Sequence, residues 1–585
     1  MATHPTINHH LLEMSQRGFD KKALRYVKNK AWQSLTWKEY QHQIYLLASA
    51  LINAGLKPGD TVGIYSNTRY EWALADWACL SLKLIVVPIY QNSSVEEVSF
   101  ILKNCNAKFI FYENKMHLDI LKKAAPDLES QNRFIAFDSN FSHFHFSGEV
   151  SFTENKEIIE DRLQKTQIDD IASIIYTSGT SGTPKGVVLT HRQIISEVTE
   201  AFDYVGVTSD DLSLSILPYA HVLGRIEHWG SMKIGFELAF AESIDRIRTN
   251  LIEVRPTIIV AVPRIFEKIY VAVTTQLAAN PLKSKIFRWA MKIGVQVSQL
   301  KQSRKPISVL LWAEYQLAYK AALYKLQEAF GGRLRFAVTG GAPISKDICE
   351  FFHACDVLIL EGYGLTETTA AITVNAPFRY RFGTVGLPLP DVKIKIAEDG
   401  EILVKSDKVM KEYYNNAQAN KDSFIDGYFM TGDIGEILSS GEIKITDRKK
   451  DLIKTAGGKY VAPQKIEGLL SLHHLVGSAL IHGDQKKYIV ALISLSRIET
   501  EKWAREKNIS FESFEKLTSD KMLIAEIKQH IVRTNSNLAS YETIKKYMIL
   551  PTEFTVDSGE LTPSLKVKRK LCDQKYRQEI LSLYS

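Results

Sequence analysis

The stretch "IIYTSGTSGTPKGVVLTH", from Ile174 to His191, decides the fold. Glycine, serine and threonine are concentrated between one apolar segment that ends at Thr177 and another that begins after Lys185. A flexible linker would not lie directly between two apolar strands, so we interpret the stretch as two strands joined by a structured loop. Successive backbone N–H groups in such a loop can surround phosphate oxygens, and glycine permits the backbone angles that this requires. The sequence therefore predicts a phosphate-binding loop.

The residue after the loop lysine distinguishes this loop from the P-loop of common nucleoside triphosphatases. The P-loop pattern G-x-x-x-x-G-K-[ST] ends in a hydroxyl that holds magnesium. Here Lys185 is followed by Gly186, and the spacing of the glycines differs. We conclude that the loop is not a P-loop, and that a residue elsewhere in the chain must hold any magnesium ion.

The rest of the chain predicts more than one domain. Its 585 residues exceed the ~250–300 at which single cores stop growing. A helical pattern in residues 35–60 begins an alternation of helix-like and strand-like segments, which is typical of sheets covered by helices. The strand candidates are residues 171–177, 212–218, 257–263, 334–340 and 357–363. After about Pro377 the residues alternate around Asp399-Gly400, which predicts a hairpin in a half-exposed antiparallel sheet.

Composition limits the cellular context and the partners. The net charge is +7, from 73 basic and 66 acidic residues, which suits anionic ligands or an anionic surface. The five cysteines are scattered, so we expect no disulfide framework and a reducing, cytoplasmic location. We find neither a signal peptide pattern nor an apolar run of the ~18–20 residues that a spanning helix needs. No zinc-finger, helix-turn-helix or aromatic RNA-binding signature is present, so we expect no nucleic acid partner.

Residues 281–335 are strongly basic. They contain eleven lysine and arginine residues against Glu314 and Glu328. Apolar side chains are interleaved with these charges, namely Trp289, Ile293, Leu310, Leu311, Trp312 and Tyr315. Two interpretations are open: an amphipathic element in peripheral contact with an anionic membrane, or a solvated helical face of a soluble domain.

Five motifs occur in an order and at spacings that are typical of one family. They are "YTSGTSGTPKGV" (176–187), "EGYGLTET" (361–368), "GYFMTGD" (427–433), "DRKKDLIKTAGGKYVAP" (447–463) and "LTPSLKVKR" (561–569). Together they resemble the adenylate-forming superfamily, which includes acyl-CoA synthetases, nonribosomal peptide adenylation domains and firefly luciferase. The resemblance covers nearly the whole chain.

The resemblance also implies the architecture. We expect an α/β fold with a large N-terminal domain (1–449) of helix-covered sheets, which includes a small β-barrel-like subdomain. A small, mobile α+β C-terminal domain (450–585) follows it, and the implied hinge is Lys450.

Three further segments are most similar to long-chain fatty acyl-CoA synthetases: "LPYAHVLGRIEH" (217–228), "VAVPRIFEKIY" (260–270) and "GGRLRFAVTGGAPIS" (331–345). The implied reaction is that of an AMP-forming acid–thiol ligase, with fatty acid, ATP and coenzyme A as substrates and Mg²⁺ as cofactor. A fatty acid carboxylate attacks the α-phosphorus of ATP, and the thiol of coenzyme A then attacks the acyl-adenylate. Three alternatives stay open: a fatty acyl-AMP ligase that loads a carrier protein, a ligase for another carboxylic acid, and a luciferase-like oxygenase.

The resemblance implies a role for each motif residue. The implied phosphate-binding residues are Thr177, Ser178, Gly179, Thr180, Ser181, Gly182 and Lys185, with Thr366 at the α-phosphate and Glu367 on magnesium. The implied adenine, ribose and further nucleotide contacts are Glu361, Gly362, Tyr363, Gly364, Asp433, Arg448 and Lys454. Lys566 would bridge the attacking carboxylate and the α-phosphate as the catalytic lysine, and His221 would border the acyl carboxylate.

One cluster of metal-ligand residue types has a simpler explanation. Cys349, His353 and Cys355 lie within the probable helix "SKDICEFFHAC". Scattered ligands on a single helix do not form the closed set that a zinc site needs. We therefore predict that these three side chains pack in the core.

Overall fold

A computed structural model describes residues 5–17, 20–177, 183–278, 280–562 and 566–585. Its strands are β1 (Lys22–Lys28), β2 (Ala31–Thr36), β3 (Thr61–Tyr65), β4 (Ile85–Ile89), β5 (Phe109–Tyr112), β6 (Phe134–Ala136), β7 (Ile171–Thr177), β8 (Lys185–Thr190), β9 (Leu212–Ser215), β10 (Glu237–Phe240), β11 (Ile258–Ala261), β12 (Phe336–Thr339), β13 (Ile359–Leu365), β14 (Ala370–Val374), β15 (Leu387–Pro388), β16 (Lys393–Ile396), β17 (Glu401–Lys405), β18 (Glu412–Tyr413), β19 (Phe424–Ile425), β20 (Tyr428–Ile437), β21 (Ile443–Arg448), β22 (Ile453–Lys454), β23 (Tyr460–Val461), β24 (Val476–His482), β25 (Ile489–Leu495) and β26 (Ile544–Ile549).

The α-helices of the same ranges are α1 (Ile7–Arg17), α2 (Trp37–Asn53), α3 (Tyr70–Ser81), α4 (Val95–Asn104), α5 (Lys115–Ala124), α6 (Pro126–Ser130), α7 (Phe141–Phe146), α8 (Phe152–Gln164), α9 (His191–Val205), α10 (Val222–Ile234), α11 (Ile247–Val254), α12 (Pro263–Ala278), α13 (Pro281–Gln302), α14 (Val309–Ala318), α15 (Tyr324–Ala329), α16 (Lys346–Ala354), α17 (Ala417–Asp422), α18 (Pro463–Leu470), α19 (Arg497–Glu506), α20 (Phe514–Leu517), α21 (Lys521–Asn535), α22 (Arg569–Lys575) and α23 (Arg577–Ser582).

Two large sheets form the body of the N-terminal domain. One has seven strands in the order β18-β8-β7-β4-β3-β5-β6, and the other has nine in the order β15-β14-β13-β12-β11-β9-β10-β1-β2. Both have a parallel centre, with β3 parallel to β4 and β5, and β12 parallel to β11 and β13. Parallel strands are buried on both faces by helices, and β3 accordingly has no exposed residue. The predicted helix-covered sheets are confirmed.

Smaller sheets complete the molecule. The hairpin predicted around Asp399-Gly400 is formed by β16 and β17, in a sheet ordered β16-β17-β20-β19 with β21 paired to β20. The C-terminal segment has its own three-stranded sheet, β24-β25-β26, and its own apolar cluster. The expected α/β class, with a large N-terminal and a smaller C-terminal domain, is confirmed.

Local sequence signals explain individual elements. The helix expected within residues 35–60 is α2, which begins after a capping box in which Thr36 and Glu39 each accept a hydrogen bond from the other's backbone. Apolar residues at helical spacing, such as Tyr40, Ile44 and Leu47, are buried against the core. Such a face supplies most of the stability of a helix in a folded protein.

A buried ion pair joins two helices at the centre of the large domain. Arg225 of α10 donates a hydrogen bond to Asp76 of α3 at 2.5 Å, and both side chains are fully buried. Trp229 donates to the other carboxylate oxygen at 3.0 Å. Arg225 also donates to the Ser173 hydroxyl of β7 at 2.8 Å, so the cluster connects two helices to the strand that leads into the phosphate loop.

We predict that Asp76→Ala lowers the free energy of unfolding of the large domain by about 3 kcal/mol or more, because it leaves a buried guanidinium without its carboxylate. Thermal unfolding monitored by circular dichroism measures this as a fall in the midpoint. Glu436→Ala is the matched control, because it removes an exposed pair with Lys444 at 2.9 Å, and such a pair contributes at most ~1 kcal/mol. Equal midpoints for the two variants would contradict the prediction.

Candidate active site

The two ends of the predicted phosphate loop lie side by side. Thr177 is the last residue of β7 and pairs with Lys185, the first residue of β8, in an antiparallel hairpin. The Thr177 hydroxyl donates to the Lys185 carbonyl at 3.4 Å. Ser178, Gly179, Thr180, Ser181 and Gly182 lie outside the described residues, so their phosphate contacts stay predictions.

The predicted adenine motif lies at the carboxyl end of β13. Glu361, Gly362, Tyr363 and Gly364 are consecutive residues of this strand, and a 3₁₀ turn, Thr366–Thr368, follows it directly. A Cβ atom at Gly364 would lie 1.4 Å from the carbonyl oxygen of Ala370, so only glycine fits where β13 and β14 meet. Glu361 is buried, and burial raises the pKa of its carboxyl to about 8 although the Ile344 N–H donates to it.

The predicted ribose-binding residues form one hydrogen-bonded group. Asp433 of β20 and Arg448 of β21 are direct cross-strand partners, and the Arg448 Nε lies 3.2 Å from Asp433 Oδ1. The Tyr363 hydroxyl donates to Asp433 Oδ2 at 2.7 Å. Burial raises the pKa of Asp433, while Arg448 and the Tyr363 hydroxyl act in the opposite direction. The structure thus brings two of the predicted ribose residues to the adenine motif.

Glu367 lies in the turn after β13 and is half-buried. Its Oε1 accepts a hydrogen bond from the Tyr413 hydroxyl at 2.7 Å, and among the described residues no donor contacts Oε2. A single accessible carboxylate oxygen fits Mg²⁺, which keeps several waters and takes its remaining ligands from substrate phosphates. Thr366 begins the same turn and is half-buried beside it.

Lys566 brings the small domain into this group. It interacts electrostatically with Arg448, Asp433 and Glu367 of the large domain. Lys566 is exposed to solvent. Even so, the loss of part of its hydration, together with repulsion by Arg448, lowers its pKa to about 8. The predicted catalytic lysine and the predicted ribose and magnesium residues therefore face one cleft, although they come from different domains.

His221 caps the start of α10 and is half-buried. Its Nδ1 accepts a hydrogen bond from the Leu223 N–H at 3.2 Å, so the neutral ring carries its proton on Nε2. Burial and the charge of Lys566 lower the pKa of His221 to about 4, which keeps the ring neutral at physiological pH. Because the charge of Lys566 acts on His221, the histidine lies near the same cleft.

The predicted hinge is bracketed by residues that belong to different domains. Lys449 pairs with Asp399 at 2.5 Å and with Glu401 at 2.8 Å, and both partners belong to the large domain. Ile453 packs in the apolar cluster of the small domain. Lys450 lies between them and is exposed. Its role as the pivot stays a prediction.

One predicted nucleotide residue is not brought to the group. The Lys454 N–H donates to Asp484 at 3.1 Å, and its ammonium lies 5.6 Å from the centre of the Tyr460 ring. Both partners belong to the small domain, and neither is a predicted nucleotide residue. Its proposed contact with the nucleotide has no support from these neighbours.

The three metal-type residues in and directly after α16 pack in the core. Cys349 and Cys355 are buried. His353 Nδ1 lies 2.7 Å from the Ser298 hydroxyl, and its Nε2 lies 3.1 Å from the Tyr380 hydroxyl. Both ring nitrogens are therefore engaged in hydrogen bonds to side chains of the core.

Two residues at the site escaped the sequence reasoning. Tyr413 contacts Glu367, and Arg264 of α12 donates to the Ser471 and Val476 carbonyl oxygens of the small domain at 3.2 and 3.4 Å. Leu472 of the same small-domain loop packs on the apolar cluster of the large domain. In the sequence, Tyr413 is one aromatic residue after a turn and Arg264 is one arginine near the start of a helix. Neither pattern is specific enough to predict a role at the site.

Comparison with known proteins identifies the family. A family model described as AMP-binding enzyme matches residues 13–414, and one described as AMP-binding enzyme C-terminal domain matches residues 450–585. The chain belongs to the AMP-binding enzyme family. The resemblance to the adenylate-forming superfamily is thereby confirmed.

Named relatives of this AMP-binding enzyme occur in bacteria and in eukaryotes. The long-chain-fatty-acid–CoA ligase FadD15 of Mycobacterium tuberculosis is 36% identical over 95% of this chain and 93% of that protein. The human long-chain-fatty-acid–CoA ligase 1 is 29% identical over 95% of this chain and 83% of that protein.

Solved structures share the fold of this AMP-binding enzyme. The o-succinylbenzoate CoA synthetase of Bacillus subtilis, in complex with the acyl-adenylate intermediate OSB-AMP, has a TM-score of 0.67 at 21% identity and covers 97% of this chain and 98% of its own. The adenylation domain of a carboxylate reductase from Mycobacterium chelonae has a TM-score of 0.73 at 21% identity, over 99% of this chain and 91% of its own.

We predict that the second-order rate constant for pyrophosphate exchange into ATP falls as the pH rises through about 8, the pKa of Lys566. A lysine is charged below its pKa, so the cation that neutralises developing phosphate charge is lost above this value. Lys566→Arg keeps its charge at every accessible pH and should abolish this fall, even if its rate is lower throughout. The same alkaline fall in Lys566→Arg would remove Lys566 as its cause.

Proposed function

We propose that this protein is a long-chain fatty acid–CoA ligase, which converts a fatty acid, ATP and coenzyme A into acyl-CoA, AMP and diphosphate through an acyl-adenylate. The observation that carries the proposal is the approach of Lys566, from the small domain, to Asp433 and Glu367 of the large domain. Adenylyl transfer needs positioning and charge stabilisation more than covalent help, and this cleft offers both. The relatives named as long-chain-fatty-acid–CoA ligases support the choice of substrates.

In the first half-reaction, the large domain holds ATP. Lys185 and the hairpin loop bind the terminal phosphates, the end of β13 holds the adenine, and Asp433 with Arg448 holds the ribose. Glu367 would hold Mg²⁺, which neutralises charge on the phosphate oxygens when bound. His221, neutral with its proton on Nε2, donates to the fatty acid carboxylate, and Lys566 stabilises the charge that develops between this carboxylate and the α-phosphate.

In the second half-reaction, a bulky thiol replaces the carboxylate as the attacking group. Lys566 occupies the cleft in the orientation seen here, so the small domain must turn away before coenzyme A can reach the acyl carbonyl. Lys450 is the pivot of this rotation in our scheme, because Lys449 before it pairs with the large domain and Ile453 after it packs in the small domain. Hinges of this kind are a few residues that absorb large backbone changes.

Release of AMP that depends on both palmitate and coenzyme A tests the proposal. We predict this activity for the wild-type protein. We also predict that Lys566→Ala slows pyrophosphate exchange by ~10²-fold, because it removes a charge clamp on the transition state. Acyl transfer from synthetic palmitoyl-adenylate to coenzyme A should stay within about threefold of the wild-type rate, since the lysine has no role after the rotation.

Two of the alternatives give distinct results in the same assays, and oxygen consumption or light emission with a luciferin would indicate the third, a luciferase-like oxygenase. Adenylate formation that is followed by acyl transfer to a carrier protein, but not to coenzyme A, would indicate a fatty acyl-AMP ligase. Activity with a short or aromatic acid, but not with palmitate, would indicate a ligase for another carboxylic acid. Equal loss of both half-reactions in Lys566→Ala would contradict the two-orientation scheme.

We further propose that α13 and α14 make peripheral contact with an anionic membrane. Leu282, Ile286 and Trp289 follow one another at helical spacing on α13, and each is at least 40% exposed. On α14, Val309, Leu310, Trp312 and Leu317 are exposed as well, and the two helices pack together. Among the described helices, none combines the length and the hydropathy that a membrane span requires.

The charges beside this surface favour anionic lipid. Lys283, Lys285, Arg288 and Lys292 of α13 are all exposed. Exposed tryptophan and leucine side chains flanked by lysine and arginine are the composition of helices that lie in a lipid interface. A fatty acid partitions into the same interface, so this position would bring the protein close to its substrate.

We predict that anionic vesicles sediment the protein at low salt and release most of it at 1 M salt, where charges are screened beyond ~3 Å. Replacing Trp289 and Trp312 together by serine should weaken sedimentation about tenfold. It should leave activity on detergent-solubilised palmitate unchanged, because both side chains are exposed on the helix surface. No sedimentation with either kind of vesicle would favour the solvated-face interpretation, and equal sedimentation with neutral vesicles would contradict the preference for anionic lipid.

A further inference from the structure

Residues 408–414 form a strap that joins the two halves of the proposed nucleotide site. The Met410 N–H donates to the Glu367 carbonyl at 2.7 Å. The Lys411 N–H donates to the Val188 carbonyl at 3.1 Å, and the Tyr414 N–H donates to the Gly186 carbonyl at 2.7 Å. The strap is therefore bonded at one end to the turn that bears Glu367 and at the other to the strand that begins with Lys185.

Side-chain contacts hold the strap in place near both of its ends. The Lys408 ammonium is fully buried and lies 3.0 Å from the Glu200 carboxylate and 3.7 Å from that of Glu197. At the other end, the Asn420 side chain accepts from the Tyr413 N–H at 2.6 Å and donates to its carbonyl at 3.0 Å. Removing a partner from a buried charge or hydrogen bond is costly, so the position of Tyr413 is well determined.

Tyr413 contacts the proposed magnesium ligand and the phosphate-loop lysine at the same time. Its hydroxyl donates to Glu367 Oε1 at 2.7 Å, and the Lys185 Nζ lies 4.8 Å from the centre of its ring. Burial, together with the negative charge of Glu367, raises the pKa of the hydroxyl, so it remains a donor at every physiological pH. The residue as a whole is only 6% exposed.

The two contacts use different parts of the ring system. A cation over an aromatic face is attracted by the ring, and its N–H groups stay available to other acceptors. The hydroxyl engages one oxygen of Glu367 and leaves the other accessible. Lys185 and Glu367 carry opposite charges and contact the same ring, so they attract each other. Within the described part of the chain, however, no ion pair joins them.

We propose that Tyr413 is a positioning residue that holds Lys185 and Glu367 apart and aims both at the phosphates of ATP. Without it, the lysine and the carboxylate would pair, and each substrate molecule would have to break that pair before it could bind. The hydroxyl orients Glu367 for Mg²⁺, and the ring face directs the lysine to the phosphates. This inference rests on the proposed function, since it assumes that ATP and Mg²⁺ occupy this cleft.

Isothermal titration calorimetry of ATP, with and without Mg²⁺, tests this role on the full-length protein without turnover. Tyr413→Phe keeps the ring and loses the hydroxyl. We predict that it reduces the gain in ATP affinity due to Mg²⁺ by about tenfold and changes the Mg²⁺-free affinity by less than about twofold. Tyr413→Leu also loses the ring, and it should lower the Mg²⁺-free affinity as well, by about tenfold.

Tyr414→Phe is the matched control. It changes the neighbouring tyrosine, whose side chain packs with the apolar cluster behind the sheet, and it should alter neither affinity. In a Glu367→Gln background, Tyr413→Phe should cause no further loss, because the hydroxyl acts through the carboxylate.

The outcomes separate the possible failures. A wild-type protein that does not bind ATP would contradict the proposed function. Normal ATP binding by the wild type, with an equal loss in Tyr413→Phe whether or not Mg²⁺ is present, would reduce Tyr413 to a general structural role and overturn this inference. An unchanged response to Mg²⁺ in Tyr413→Phe would overturn it as well. If Tyr413→Leu fails to fold, the phenylalanine variant and the double variant still decide the question.

Discussion

The ion pair between Asp433 and Arg448 is the interaction on which the rest of the cleft depends. The two residues face each other across β20 and β21, so sheet register alone sets their separation. Tyr363 donates to the same carboxylate, and this bond ties the adenine motif to the pair. Arg448 also repels Lys566, and this repulsion contributes to the lowered pKa of the lysine. This cross-strand contact thus positions Asp433 and Arg448 for the proposed ribose contact, and the charge of Arg448 also helps to lower the pKa of Lys566.

The architecture explains why charges from distant parts of the chain can meet. The start of β8 in the seven-stranded sheet provides Lys185, and the turn after β13 of the nine-stranded sheet provides Glu367. The smaller antiparallel sheet provides Asp433. Ligands of sheets with parallel strands commonly bind beyond the carboxyl ends of those strands. Lys566 is supplied by the C-terminal domain, and its charge interacts with those of Asp433 and Glu367.

Local patterns predicted much of this from the sequence. The strand at Ile171–Thr177 has the predicted bounds, and it pairs with the strand that begins at Lys185, on the other side of the glycine-rich stretch. These features depend on residues adjacent in the chain, where periodicity and turn chemistry operate. The contact between Tyr413 and Glu367 spans 46 positions, and that between Arg225 and Asp76 spans 149. Such pairs arise from tertiary packing, and no single segment carries a signal for them. Lys454 differs from these pairs. Its position in a motif predicted a contact with the nucleotide, but in the structure the residues around Lys454 belong to the small domain.

The contacts of Arg264 have a consequence for sequence change over evolution. Its guanidinium donates to the backbone carbonyls of Ser471 and Val476, and every amino acid at these positions would offer the same acceptor. Substitutions in this loop can therefore accumulate without loosening the contact between the domains, whereas replacement of the arginine would remove both bonds at once. Natural variation should be frequent on the side of the small domain and rare at the single residue opposite it.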